Sequence, residues 1–270
     1  ITCRDWSSDV CSSDLIISES GIAVHISGIE QTANITVNRS RIASKANGLY
    51  VTTGNDVTIS NTTFEDCAGC GLWMYETNGT INVTDSSFQR IGQSGISLCN
   101  TSRFSIRQCQ FYECDLNGIF IGPNANGKIE GARLSMIRNP AILARGHTIK
   151  VDIIDSTVSD CLNSGIYFDQ LSSGTVVNSV IRDNKNTGLV VIGKTSTVRC
   201  QNTDIVNNAS FAIWCNLGGS VFFENGRIIS PKDSPIYKSQ DSTVVLKNVV
   251  KDPVSPLTGN DMPEKEKTNP

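Results

Sequence analysis

The residues of this chain best suited to chemistry are few, and they recur at a fixed interval. Arg145 and His147 are followed one interval later by Tyr167, Asp169 and Gln170, and after one more by Lys194. Such a set suits proton abstraction beside a carboxylate, the step that begins cleavage or C5 inversion of a uronate. That step needs a cation to offset the carboxylate charge, a base for the carbon-bound proton and a donor for the leaving oxygen. Arg145 is the candidate cation, His147 or Lys194 the base and Tyr167 the donor, with Asp169 completing the catalytic set. The competing reading is a plain ion pair between Arg145 and Asp169, one interval apart, which steadies two neighbouring strands and does no chemistry. Hydrolysis by paired carboxyl groups fits less well, because Asp169 has no acidic neighbour and Glu76 is four intervals away. No cluster of acids suits calcium, and the two histidines, His25 and His147, are five intervals apart. No metal and no cofactor is expected.

The interval belongs to a repeat. The unit G-[IL]-x-apolar begins at Gly21, Gly48, Gly71, Gly95, Gly118, Ala141, Gly165, Gly188, Ala212 and Pro235, spaced by 27 residues once and by 23 or 24 thereafter. Within each unit apolar residues alternate with polar ones in three short runs, as in Leu49 and Val51, Val57 and Ile59, then Phe64. Alternation at period two with turn residues between predicts three strands per unit, and a fixed period predicts stacked units. Two rows keep their register. Phe64, Phe88, Phe111, Leu134, Val158, Ile181, Ile205 and Ile228 each lie seven residues before the next unit. Asn61, Asp85, Gln108, Asp155, Asn178, Asn202 and Asn225 each lie ten before it, with Gly131 interrupting, and predict a ladder of polar side chains along a turn.

These features resemble the right-handed parallel β-helix repeat family, the pectate-lyase-like fold. The resemblance implies an all-β solenoid of about ten coils of 23–24 residues, with three short strands per coil, over residues 16–250. It also favours an extracellular or periplasmic location.

In such a coil, positions 3 and 5 of each unit face outward. Position 3 reads Ala23, Tyr50, Trp73, Ser97, Phe120, Leu143, Tyr167, Val190, Trp214 and Tyr237, while Tyr75 stands at position 5 and Glu76 beside it. Flat aromatic faces on a rigid sheet suit sugar rings, so Tyr50, Trp73, Tyr75, Glu76, Phe120, Trp214 and Tyr237 are the candidate substrate-binding residues and a polysaccharide is the expected partner. Ser97, Cys99 and Gly122 are expected to floor a groove between Trp73 and Phe120. The aromatic row also reads as packing that steadies any sheet. A non-catalytic structural or adhesive solenoid, or a protein-interaction scaffold, is therefore the alternative function.

The outer second strand carries Arg107 in row with Glu130 and Lys128 in row with Asp152, a pattern typical of solubilising charge ladders. Cys67, Cys70, Cys99, Cys109, Cys114, Cys161, Cys200 and Cys215 share no register between adjacent coils and are expected to be unpaired thiols. Cys67-Ala68-Gly69-Cys70 falls in a turn rather than in a redox setting.

Asp5–Leu15, D-W-S-S-D-V-C-S-S-D-L, resembles the in-frame translation of a sequencing-library adapter. Residues 1–15 are therefore expected to be an artefactual leader, with the native sequence beginning near Ile16 as the C-terminal part of a longer protein. Residues 251–270, with Pro253, Pro256, Pro263 and Pro270 among charged side chains, are expected to be a disordered polar tail. Net charge is −3, and beyond residue 15 there remain 22 basic and 23 acidic residues, so no basic footprint for nucleic acid exists. No apolar run is long enough for a membrane-spanning helix. A monomer is expected.

Overall fold

The structure, a computed structural model, describes residues 2–3, 15–18, 21–26, 34–52, 56–76, 79–100 and 103–253. It is all β: a parallel β-helix in which each coil contributes three short strands. The first strands run Val24–Ile26, Leu49–Thr52, Leu72–Tyr75, Ile96–Cys99, Ile119–Ile121, Ile142–Arg145, Ile166–Asp169, Leu189–Ile192, Ile213–Asn216 and Ile236–Lys238, each paired in parallel with the next. Second and third strands stack in the same way, as Thr80–Thr84 on Arg103–Arg107 and Ser87–Ile91 on Gln110–Cys114. In the last two coils they run together as Ser220–Ser230 and Thr243–Pro253. No helix among the described residues is long and apolar enough to cross a membrane.

The core follows from the pleat, which turns alternate side chains into the coil. Leu49, Leu72, Ile96, Ile119, Ile142, Ile166, Leu189 and Ile213 form one fully buried row of the first sheet. Phe64, Phe88 and Phe111 form another in the third strand, with ring centroids 4.8 and 4.9 Å apart and planes within 5°. Those separations match the roughly 4.7–4.9 Å between hydrogen-bonded strands, so the backbone pitch sets the stack. Glycine at the start of an interior unit serves the same packing: a Cβ at Gly71 would stand 2.7 Å from the Phe88 ring and 2.8 Å from the Gly95 carbonyl.

The polar row before each third strand has a backbone cause. Arg39, Asn61, Asp85, Gln108, Gly131, Asp155, Asn178, Asn202, Asn225 and Asn248 all adopt left-handed conformation, with φ between 48° and 63°. Short polar residues and glycine tolerate that region best, which explains why Gly131 fills a place in an amide row. Axial amide bonds are secondary, as between Asn202 and Asn178 at 3.1 Å and between Asn248 and Asn225 at 3.1 Å. In six of these coils the following residue is a buried hydroxyl: Ser40, Thr62, Ser86, Ser156, Ser179 or Thr203. Thr62, Ser86, Ser156 and Ser179 bond back to carbonyls two residues earlier at 2.7–2.9 Å. Thr62 N–H also donates to Ser86 Oγ and Ser156 N–H to Ser179 Oγ, both at 3.1 Å. A second left-handed row, Asp66, Arg90, Glu113, Met136, Asp160, Asp183 and Asn207, ends the third strands at φ 51–56°.

Inside that second corner the buried row reads Cys67, Ile91, Cys114, Ile137, Cys161, Asn184 and Asn208. Asn184 Nδ2 donates to Asn208 Oδ1 at 2.8 Å, while Asn184 Oδ1 accepts from Cys161 N–H at 3.0 Å. An internal amide ladder therefore replaces thiol and isoleucine filling toward the C-terminal coils.

The first coil differs from the sequence expectation. Val24 pairs with Leu49 and His25 with Tyr50, so His25, not Ala23, holds position 3. The reason is a longer first spacing: Ala23 takes the place that glycine holds elsewhere, its N–H donating to Asn47 O as Gly48 N–H donates to Cys70 O. Thr2–Cys3, within the expected leader and just upstream of the adapter-like segment, pairs with His25–Ile26, and residues 4–14 lie outside the described residues. The last strand continues to Pro253, and the rest of the expected tail, 254–270, also lies outside them.

Two stability predictions follow from these corners. Asn178→Val forces a β-branched residue into the left-handed region and should destabilise by about 1–2 kcal/mol in urea unfolding, whereas Asn178→Gly should be near neutral. Asn184→Leu leaves the Cys161 N–H without its acceptor, while Asn208 Oδ1 keeps the Asn184 backbone N–H at 3.2 Å, and should cost about 1–3 kcal/mol, read as an earlier urea midpoint.

Candidate functional site

The outer face of the first sheet collects the candidate binding residues on consecutive parallel strands. At one end His25, Tyr50 and Trp73 overlap in sequence, with centroids 5.0 and 4.9 Å apart and rings tilted by 31° and 41°. Tyr75 stands two residues on from Trp73, 38% exposed. At the other end Trp214 and Tyr237 lie 4.9 Å apart, and Phe211 meets Trp214 edge-on at 5.5 Å. Phe120 and Tyr167 hold the coils between them, half-buried.

The expected groove between Trp73 and Phe120 is not open. Ser97, Leu143 and Val190 point outward yet are 8%, 8% and 5% exposed, because the larger side chains of adjacent coils close over them. The face is a packed shelf with an aromatic cluster toward each end. Gly122 is buried against the Leu98 carbonyl. Cys99 is half-buried within hydrogen-bond reach of the Trp73 indole and 3.8 Å from the Ser97 hydroxyl. Glu76 leaves the sheet: it occupies a left-handed turn at φ 54°, where its carboxylate meets the Tyr75 hydroxyl and holds that phenol above its ordinary range.

Of the proposed catalytic set, the fold brings three members together. Arg145 and Asp169 are direct neighbours across adjacent strands, with Nε donating to Oδ2 at 3.1 Å. Tyr167 lies on the same face; burial first, then the Asp169 charge, raises its phenol, while Arg145 opposes the rise. A raised phenol stays protonated and can donate but not abstract. His147 lies beyond Arg145 in the exposed turn, its carbonyl accepting from Asn124 N–H at 3.1 Å, and bonds to none of the other three. Gln170 and Lys194 are likewise exposed in turns beside the sheet.

Elsewhere several charged side chains are paired with near neighbours. A concavity of about 540 Å³ at the end of the third strands is lined by Lys45, Asp66, Arg90, Glu113, Asp115 and Arg138. There Arg90 meets Asp66 at 2.7 Å and Arg138 meets Asp115 at 3.3 Å. Glu65, 10% exposed at its side chain, takes both Arg41 and Arg90. On the second strand Lys128 pairs with Glu130 at 2.9 Å, within its own strand rather than across to Asp152, which accepts from the Thr175 hydroxyl at 2.8 Å. The described residues contain no group of three or more His, Cys, Asp or Glu able to hold a metal ion. The eight cysteines from Cys67 to Cys215 form no disulfide with one another. Burial pushes the Cys67, Cys114, Cys161 and Cys200 thiols up to about 12, and those of Cys70 and Cys109 up to about 11.

Sequence reasoning missed three contributors to this architecture. His25 was hidden by the irregular first spacing. The buried Asn184–Asn208 pair looked like turn composition. The hydroxyl row was legible in the Asn-Thr, Asp-Ser and Asn-Ser pairs that recur at several of these corners, but its role is apparent only from the hydrogen bonds.

The chain matches the family model described as "Right handed beta helix region" over residues 11–152 and 140–252, and it belongs to that family. Among solved structures it is similar to the Azotobacter vinelandii mannuronan C-5 epimerase AlgE6 A-module, at TM-score 0.61 and 12% identity, covering 89% of each chain. It is also similar to the periplasmic alginate epimerase AlgG, at TM-score 0.53 and 11% identity, covering 90% of this chain and 76% of that one. For pectate lyase Pel9A the values are TM-score 0.51 and 14% identity, with 92% of this chain and 68% of that one covered. At these identities the likeness establishes the fold. No curated protein matches the sequence.

The thiols supply a test of the packing. With Cys3 and Cys11 replaced by serine, native protein at pH 8 should expose one slowly reacting thiol to an aromatic disulfide reagent, lost in Cys99→Ser. All eight remaining thiols should react in denaturant, because burial disfavours the thiolate needed for attack.

Proposed function

We propose that this protein is a carbohydrate-binding β-helix whose first sheet is a platform for an extended glycan. The observation that carries the reading is the concentration of exposed or half-exposed aromatic rings, Tyr50, Trp73, Tyr75, Phe120, Tyr167, Trp214 and Tyr237, on one face of one sheet. Sugar rings present apolar C–H faces, and a rigid aromatic surface removes that area from water at little entropic cost. Epimerases and a lyase acting on polysaccharides share the fold, which supports the reading without assigning an activity.

The geometry supports binding better than proton abstraction. The Arg145 charge is already opposed by Asp169 at 3.1 Å, and His147 is not held against either. Packing alone would also produce an aromatic row, as the Tyr50–Trp73 and Trp214–Tyr237 contacts illustrate. The two roles separate by experiment. Across a panel of soluble polysaccharides in affinity electrophoresis, wild-type protein should be retarded by at least one. Trp73→Ala and Trp214→Ala should each weaken that binding by about 1–2 kcal/mol, roughly 5- to 30-fold, while Tyr112→Ala, on the third-strand face, should not. Retardation by no polysaccharide would overturn the reading.

A further inference from the structure

The first-sheet face is as notable for its lack of charge as for its rings. From Val24–Ile26 to Ile236–Lys238, the described outward residues at positions 3 and 5 are His25, Tyr, Trp, Phe, Leu, Val, Ile, Ser, Thr, Cys, Asn or Gly, apart from Arg145 and Asp169. Those two pair with each other at 3.1 Å. The formal charge of the platform is therefore zero, and its one cation has its anion on the adjacent strand. Charges at the flanks are of both signs, with Lys45, Asp115 and Arg138 at the corner that follows the third strands. Glu76 and His147 stand on one turn edge, where Lys194 also acts electrostatically on Asp241. On the other edge the Lys232 ammonium sits over the Phe211 ring at 4.7 Å. Elsewhere the chain is not short of charge: the second and third strands carry ion pairs in many coils. Charge is depleted on the aromatic face in particular.

A polyuronate carries a carboxylate on every sugar. To lie on this face each would lose part of its hydration, a loss that is repaid only where a cation waits for it. Across the coils between Trp73 and Trp214 the face offers one guanidinium, already matched. An uncharged hexose or pentose polymer meets no such cost: its C–H faces stack on the rings, and its hydroxyls find Ser239, Asn216, Thr52 and the turn residues at the rim.

We infer that the ligand of this face is a neutral polysaccharide and that the Arg145–Asp169 pair discriminates against uronate polymers. This rests on the carbohydrate-binding reading above and narrows it. The discrimination is electrostatic and local: Asp169 repels an approaching carboxylate while cancelling the attraction of Arg145.

The experiment measures affinity of the full chain for three neutral probes, a soluble β-1,3-glucan, a galactomannan and an arabinoxylan, and for two anionic ones, alginate and polygalacturonate. Each is tested at about 0.05 M and about 0.5 M sodium chloride, where screening lengths differ severalfold. The expected result is that a neutral probe binds with less than about twofold change between the two salts, and both polyuronates bind at least about tenfold more weakly. A polyuronate within tenfold of the best neutral probe overturns the inference and leaves the carbohydrate reading standing. Binding to none of the five overturns the inference, and extension of that failure to the wider panel overturns the carbohydrate reading too. Asp169→Asn frees the Arg145 guanidinium and should raise polyuronate affinity severalfold at low salt, with the gain lost at high salt. An unchanged polyuronate affinity in the folded variant would overturn the role assigned to the pair.

Discussion

Everything in this molecule depends on the parallel hydrogen bonding of one coil to the next. It fixes the axial pitch at the spacing of two strands, and every other regularity is a consequence of that repeat. Phenylalanine rings stack at 4.8 and 4.9 Å because their backbones are that far apart, and the outer rings meet at 4.9 to 5.0 Å for the same reason. A side chain in this fold always sees a counterpart at the same register above and below it. Interaction is therefore between like positions, and the coil tolerates only residues that pack well on their own kind or on a chosen complement.

The corners are where this repeat is made compatible with a closed coil. Two rows of left-handed residues turn the chain sharply enough to keep coils at 23 or 24 residues, and buried Ser and Thr hydroxyls satisfy the backbone that the turn leaves without a sheet partner. Where the interior of a corner is apolar, thiols fill it, and where it is polar, Asn184 and Asn208 bridge adjacent coils. These are two solutions to one packing volume, and neither exposes a reactive group.

Much of the fold was legible because periodic contacts leave periodic sequence. The G-[IL]-x-apolar unit, the Phe64–Phe88–Phe111 row and the amide row all marked positions that share a register in space. The amide row was read for its side-chain hydrogen bonds, whereas the backbone angle is the stronger cause. Gly131 shows this, since it has no side chain to bond and still holds the place at φ 63°. The candidate site was less legible. Alternation said that Ser97, Leu143 and Val190 point outward, and they do, but it could not say that adjacent larger residues would bury them. Charge pairing was half legible: the Arg145–Asp169 register was readable by counting, while Lys128 chose Glu130 on its own strand over the cross-strand Asp152 that counting suggested.

The division of labour between corners and platform has an evolutionary consequence. Left-handed conformation, close glycine contacts and buried hydroxyls restrict the letters allowed at the corners, whereas positions 3 and 5 of the first strands are extended backbone whose side chains point out of the coil. Mutations there change one rung of the surface and leave the turn grammar untouched. A lineage built on such coils can therefore rewrite what it recognises one rung at a time, and its recognition surface is expected to diverge faster than the scaffold that displays it.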